Sequence, residues 1–150
     1  MYFLTQNIVA KNSEEIEENI RQSSLKRHTS LDLKRSAAYV ASKDKVFLGY
    51  ENESKISLLR ISAPFEFFLP KLVATFTKND FQKYRLRLHL PSLMLFLFLT
   101  VILILKLYSS VSSGSYNELK SILIFNLIFY CLLFIEYKLV LKTINRFIGY

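Results

Sequence analysis

Tryptophan is missing from this chain, and four other residue types are scarce: one Cys, two His, three Gly and three Pro among 150 residues. A single thiol excludes a disulfide framework, and one Cys with two His is too few for a Cys/His zinc site. Three glycines leave no room for a glycine-rich phosphate loop. The chain has no Ser-His-Asp pattern, no HExxH, no P-loop and no paired aspartates in an apolar segment. His28 and His89 stand far apart without evident partners. A chain this short excludes a large multidomain enzyme. The expectation is a non-enzymatic protein with no cofactor and no metal.

What the chain has in excess is apolar surface. It is 51% hydrophobic and 21% charged, with a mean hydropathy of +0.24. The excess sits in two blocks near the C-terminus. Leu90–Tyr108 holds only Ser92, Thr100 and Lys106 as polar residues. Its 19 residues would cover about 28 Å as a helix, close to a ~30 Å hydrocarbon core. Pro91 falls in the first turn, where a helix tolerates it. The second block, extended from Leu119 to Leu141, reaches about 34 Å. Glu136 and Lys138 lie near one end, and Lys138 can snorkel. Cys131 within it reads as a small apolar filler. Both blocks read as transmembrane helices, because so small a soluble part cannot wrap two such helices on all sides. Neither reads as a signal peptide, since both lie far from the N-terminus.

Charge sets the expected orientation. Residues 1–90 hold 15 Lys/Arg, and the stretch 109–118 holds none. Basic residues stay on the cytoplasmic side. Both termini are therefore expected in the cytoplasm of an integral inner (plasma) membrane protein, with 109–118 as the outer loop.

The cytoplasmic part, 1–89, reads as an α+β module. The opening YFLTQNIVA is strand-like. Ser13 with Glu14, Glu15 and Glu17 marks a helix start, and Ile16 and Ile20 share a face, so a helix is expected to about Leu25. Residues 26–45 fit either a short helix capped by Ser30 or a connector. Strand texture follows in VFLGY, KISLLRIS and KLVATFT, with FEFFLP between the last two. In FQKYRLRLHL, Tyr84, Leu86, Leu88 and Leu90 alternate with Lys83, Arg85, Arg87 and His89. Strict alternation predicts a half-buried strand with one basic face, running straight into the first span. The second span is expected to continue as a cytoplasmic helical tail over 142–150, since Leu141, Ile144 and Ile148 recur on one face.

Four candidate features follow. The stripe Lys83/Arg85/Arg87/His89 suits anionic lipid headgroups or another ligand. Nucleic acid is disfavoured, because a net charge near +5 over 90 residues is modest and no binding motif is present. Thr100 and Asn126 lie at similar depth and are expected to hydrogen-bond across the hairpin or between copies. A Glu136–Arg87 pair is expected to anchor the sheet to the hairpin. No GxxxG motif specifies a close helix dimer.

The order of pieces resembles a group of small uncharacterised bacterial membrane proteins with two transmembrane helices and a cytoplasmic β-rich domain. The matching pieces are Phe47-Leu48-Gly49, Ile56 to Arg60, Phe68-Leu69-Pro70, Arg87-Leu88-His89-Leu90-Pro91 and Glu136. The chain departs at Pro64-Phe65-Glu66-Phe67, where a polar Tyr-Arg-Asn-Ser-like stretch belongs. The resemblance implies a membrane-tethered module and gives no activity. The leading expectation is an anchored binding or regulatory module that holds lipid or a protein partner at the inner face. Its rivals are a defence or toxin effector that oligomerises through its hairpin, and an immunity-type protein that blocks a toxin at the membrane.

Overall fold

A computed structural model describes residues 4–8, 12–27, 45–62, 66, 68–113 and 117–148. It contains a six-stranded sheet followed by two long apolar helices, the α+β and helical-hairpin architecture expected. The strands are β1 (Leu4–Asn7), β2 (Ser24–Arg27), β3 (Phe47–Glu51), β4 (Lys55–Arg60), β5 (Leu72–Thr77) and β6 (Asp80–Leu88). The helices are α1 (Ser13–Ser23), α2 (Leu90–Ser113) and α3 (Asn117–Phe147).

The sheet order is β1-β6-β5-β4-β3-β2. From β3 to β6 the chain meanders antiparallel, and β1 adds antiparallel to β6. Only β2 is parallel to its neighbour β3. β1 and β2 therefore occupy opposite edges, and α1 must cross one face of the sheet to join them. It does so with Ile16 and Ile20 buried beneath it, and Glu14 and Glu15 in its first turn complement the helix dipole. The helix stops at Ser23, short of the expected Leu25, because Leu25 pairs with Leu48 as part of β2. Gly49 permits this edge pairing: a Cβ there would come within 3.2 Å of Ser24. The choice posed for residues 26–45 falls mostly outside the described residues, of which β2 takes the first two.

Alternation in β6 holds from Tyr84 to Leu88; Phe81 is buried out of phase beside the register shift at Phe76/Thr77, and Leu90, expected to extend the pattern, is the exposed first residue of α2. Phe81, Tyr84, Leu86 and Leu88 are buried, whereas Lys83, Arg85 and Arg87 are exposed on the opposite face. The core joins these residues to Phe47, Ile56, Leu58 and Phe76 from the sheet, and to Ile16 and Ile20 from α1. Phe76 stacks on Tyr84 at 5.3 Å. The core is closed by α3: Val140, Ile144 and Ile148 are buried within it. Each such side chain contributes on the order of 1.5–3 kcal/mol. Asn19 of α1 donates to the Ile148 carbonyl, and Gln6 of β1 donates to the Tyr137 hydroxyl at 3.1 Å.

Over its first two-thirds α3 pairs instead with α2, where Phe96 meets Phe129 and Tyr130. The apolar stretches of α2 and α3 are only 6% and 17% buried. These are not core helices of the sheet domain; they are long and apolar enough to cross a membrane. The expected loop 109–118 is shorter in the structure, since α2 runs on to Ser113 and α3 starts at Asn117. The tract Ser109–Ser113 continues the helix, and Ser110 is buried.

Candidate functional site

The sheet joins the hairpin at a cluster of charges. On β4, Ile56, Leu58 and Arg60 take the inward positions, and Arg60 pairs in register with Phe47. A guanidinium thus stands where the pattern calls for an aliphatic side chain, and it is only 8% exposed. One turn before the core residues of α3, Glu136 is fully buried. Arg60 donates to Glu136 at 2.5 Å through Nη2 and to Glu66 at 2.6 Å through Nη1. Burial opposes the Arg60 charge. The hydrogen bond and charge of Glu136, with those of Glu66, outweigh it and hold the guanidinium pKa above its usual value.

Lys71 completes the cluster. Its ammonium lies 4.0 Å from Glu136 Oε1 and donates to the Ser62 hydroxyl and the Glu66 carbonyl. Its backbone amide donates to Ser92 Oγ at 2.9 Å, and its carbonyl accepts from the His89 amide. Two cations and two carboxylates thus tie together β4, the turn at Glu66, the start of α2 and the middle of α3. Arg60 Nε and Glu136 Oε1 are buried without a hydrogen-bond partner. A charge-balanced cluster around a buried ion pair of this kind fixes register and orientation better than it performs chemistry. Among the described residues no group of three His, Cys, Asp or Glu is placed to hold a metal.

The expected anchoring pair is therefore corrected in one member. Glu136 is the anchor, but its partner is Arg60, and Arg87 is exposed on the far face of the sheet. The reason is parity: Arg87 alternates out of phase with the core-facing Leu86 and Leu88, so its side chain leaves on the side away from α3. Sequence reasoning passed over Arg60, Glu66 and Lys71. The available signal was the break in β4, where a charge follows Ile56 and Leu58 at the next inward step. A buried cation demands a buried anion, and Glu136 is the one acid within the apolar run of α3.

The other predicted residues are not brought together. Thr100 donates to the Phe96 carbonyl and Asn126 to the Ile122 carbonyl, each one turn back in its own helix. Neither bond crosses the hairpin, because a short side chain in an apolar helix reaches its own i−4 carbonyl first. Lys83, Arg85 and Arg87 form an exposed row on the face opposite α1 and α3. His89 is half-buried at the end of this row; burial, then Arg87, lowers its pKa. Cys131 is exposed on α3. No family model, curated protein or solved structure matches this chain, so the resemblance drawn from its short motifs stands on those motifs alone.

Proposed function

We propose that this chain is a membrane-anchored, non-enzymatic binding or regulatory module at the inner face of a bacterial membrane. The observation that carries the reading is the continuity of α3. One unbroken helix is apolar and exposed along α2, then buried in the core of the sheet domain at Val140, Ile144 and Ile148. The Glu136–Arg60 joint stiffens the passage. Anchor and module are thus one rigid body, with the sheet held against the bilayer surface. The 15 Lys/Arg of residues 1–90, against none in 109–118, favour a cytoplasmic sheet. The exposed row Lys83/Arg85/Arg87 suits attraction to anionic headgroups, at roughly 1 kcal/mol per charge near the surface.

Cysteine accessibility tests this. Cys131 is replaced by Ala, and single cysteines are introduced at Lys55 and Ser112, both exposed and at opposite ends of the molecule. In intact bacterial spheroplasts an impermeant maleimide should label Ser112→Cys and spare Lys55→Cys until lysis. The reverse pattern would invert the orientation, and release of the chain by alkaline extraction would remove the anchor.

A second reading is a membrane-perturbing effector, with copies associating through the hairpin. The same continuity of α3 favours it, since a rigid helix transmits events at the sheet into the bilayer. Rapid depolarisation on induced expression of the full chain would put this reading first; a normal potential in cells that accumulate the protein in their membranes would keep the anchored module ahead.

A further inference from the structure

The connection from β4 to β5 lies at the end of the sheet from which α2 departs. Residues 64–70 read PFEFFLP, with three aromatic residues and a single charge. That charge is turned inward, since Glu66 accepts from Arg60 at 2.6 Å in the buried cluster. What the described part of the turn presents outward is Phe68, which is 80% exposed. Among the described residues outside α2 and α3, the other large apolar side chain left exposed is Leu4, at 47%. One exposed apolar residue is ordinary on a surface bathed in water. This one is set apart by where the turn is held.

The turn is pinned to the start of the first apolar helix. The Lys71 amide donates to Ser92 Oγ at 2.9 Å, and its carbonyl accepts from the His89 amide. The Lys71 ammonium donates back to the Glu66 carbonyl, the Leu69 amide donates to the same oxygen, and Pro70 is buried. From this hold Phe68, Leu69 and Pro70 face Leu95 and Leu99 of α2 and Ile128 of α3 across an open groove of about 390 Å³. Leu95 and Leu99 lie about 8 and 14 Å along the helix from Leu90, inside the apolar span. No ionised side chain lines the groove. The turn thus overhangs the beginning of the span, and its apolar surface is continuous with that of the hairpin.

We infer that this turn is a third membrane contact, with Phe68 inserted among the acyl chains at the upper edge of the leaflet that α2 enters. The inference rests on the membrane reading above and adds to it an element that is not a spanning helix. It invokes no charge and selects no headgroup; the partner is hydrocarbon. Aromatic side chains are favoured where the chain region meets the interface. Two spanning helices leave a molecule free to tilt, and an interfacial anchor off their axis sets that tilt. Phe68 then decides which way the sheet leans over the bilayer.

The missing tryptophan supplies the test. Full-length Phe68→Trp, Leu97→Trp and Lys55→Trp variants are each reconstituted in phosphatidylcholine nanodiscs, with and without bromine on the acyl chains. Leu97 is exposed along α2, and Lys55 is exposed at the far end of the sheet. Exchange of one aromatic ring for another at an exposed position leaves the fold intact. Brominated lipid should quench Phe68→Trp about threefold more strongly than Lys55→Trp, and iodide in the water should do the reverse. Leu97→Trp marks the limit of full insertion, quenched by brominated lipid and spared by iodide. Iodide quenching at Phe68→Trp equal to that at Lys55→Trp would overturn the insertion and leave the two-helix anchor intact. Protection from both quenchers would overturn it too, and would set the ring against protein, such as a second copy of the chain. If brominated lipid fails to quench Leu97→Trp, the membrane reading itself fails.

Discussion

Arg60 and Glu136 are 76 positions apart, and their meeting governs how the two halves of the molecule are joined. Removing one partner of a buried pair leaves the other charge stranded, at a cost of about 3–5 kcal/mol. Glu136→Gln in the full chain should lower stability in detergent by about that range, with Glu66 retaining part of the Arg60 charge. Arg87→Gln, at an exposed position, should change it by less than about 0.5 kcal/mol. A double-mutant cycle in chemical unfolding separates the two pairings. Coupling to Glu136 is expected for Arg60 and not for Arg87.

Two titrating groups make predictions at the same scale. Burial, then the neighbouring Tyr137, pushes the Tyr84 phenol up to about 12. Its folded pKa is raised, so its contribution is intact below pH ~10 and is lost as pH rises toward 12. Absorbance titration should find one late-ionising tyrosine that disappears in Tyr84→Phe. His89 runs the other way. Its folded pKa is lowered, so the unfolded chain binds the proton first, and stability falls as pH drops below about 6.5. That part of the acid limb should flatten in His89→Gln.

Among the elements, α3 belongs to both halves of the structure. Ile144 is fully buried against the sheet, so Ile144→Ala should cost about 2–5 kcal/mol, read as a shift in the unfolding midpoint of the full chain. A fragment of residues 1–89 lacks Val140, Ile144 and Ile148, leaves the core face of the sheet covered by α1 alone, and should fail to give a cooperative unfolding transition. Sequence pattern went far at this scale. The alternation of β6 named its buried face, and the spacing of Ile144 and Ile148 named the inward face of the α3 tail. It failed at β2, because four residues of an edge strand, Ser24–Arg27, carry too short a pattern to read, and their parallel partner lies beyond a 19-residue gap. The partner of Glu136 was hidden for a related reason. An acid in an apolar run announces that it needs a cation, but which of 15 candidates answers depends on strand register, and register is a property of the assembled sheet.

The whole molecule closes its core out of chain order. The sheet strands end at Leu88, two apolar helices follow, and the side chains that complete the cover begun by Ile16 and Ile20 come only at 140–148. Domains that complete early in synthesis can fold as they emerge from the ribosome. This one cannot. While α2 and α3 are being made, the face bearing Phe47, Leu58, Phe76 and Leu86 is covered by α1 alone, and the sheet ends in four-residue edge strands. Under the proposed topology, insertion of the hairpin returns residue 140 to the side on which the sheet is waiting. Membrane integration then becomes the step that licenses folding, and a chain that misses the membrane is left with its sheet open, a natural substrate for chaperones and proteases.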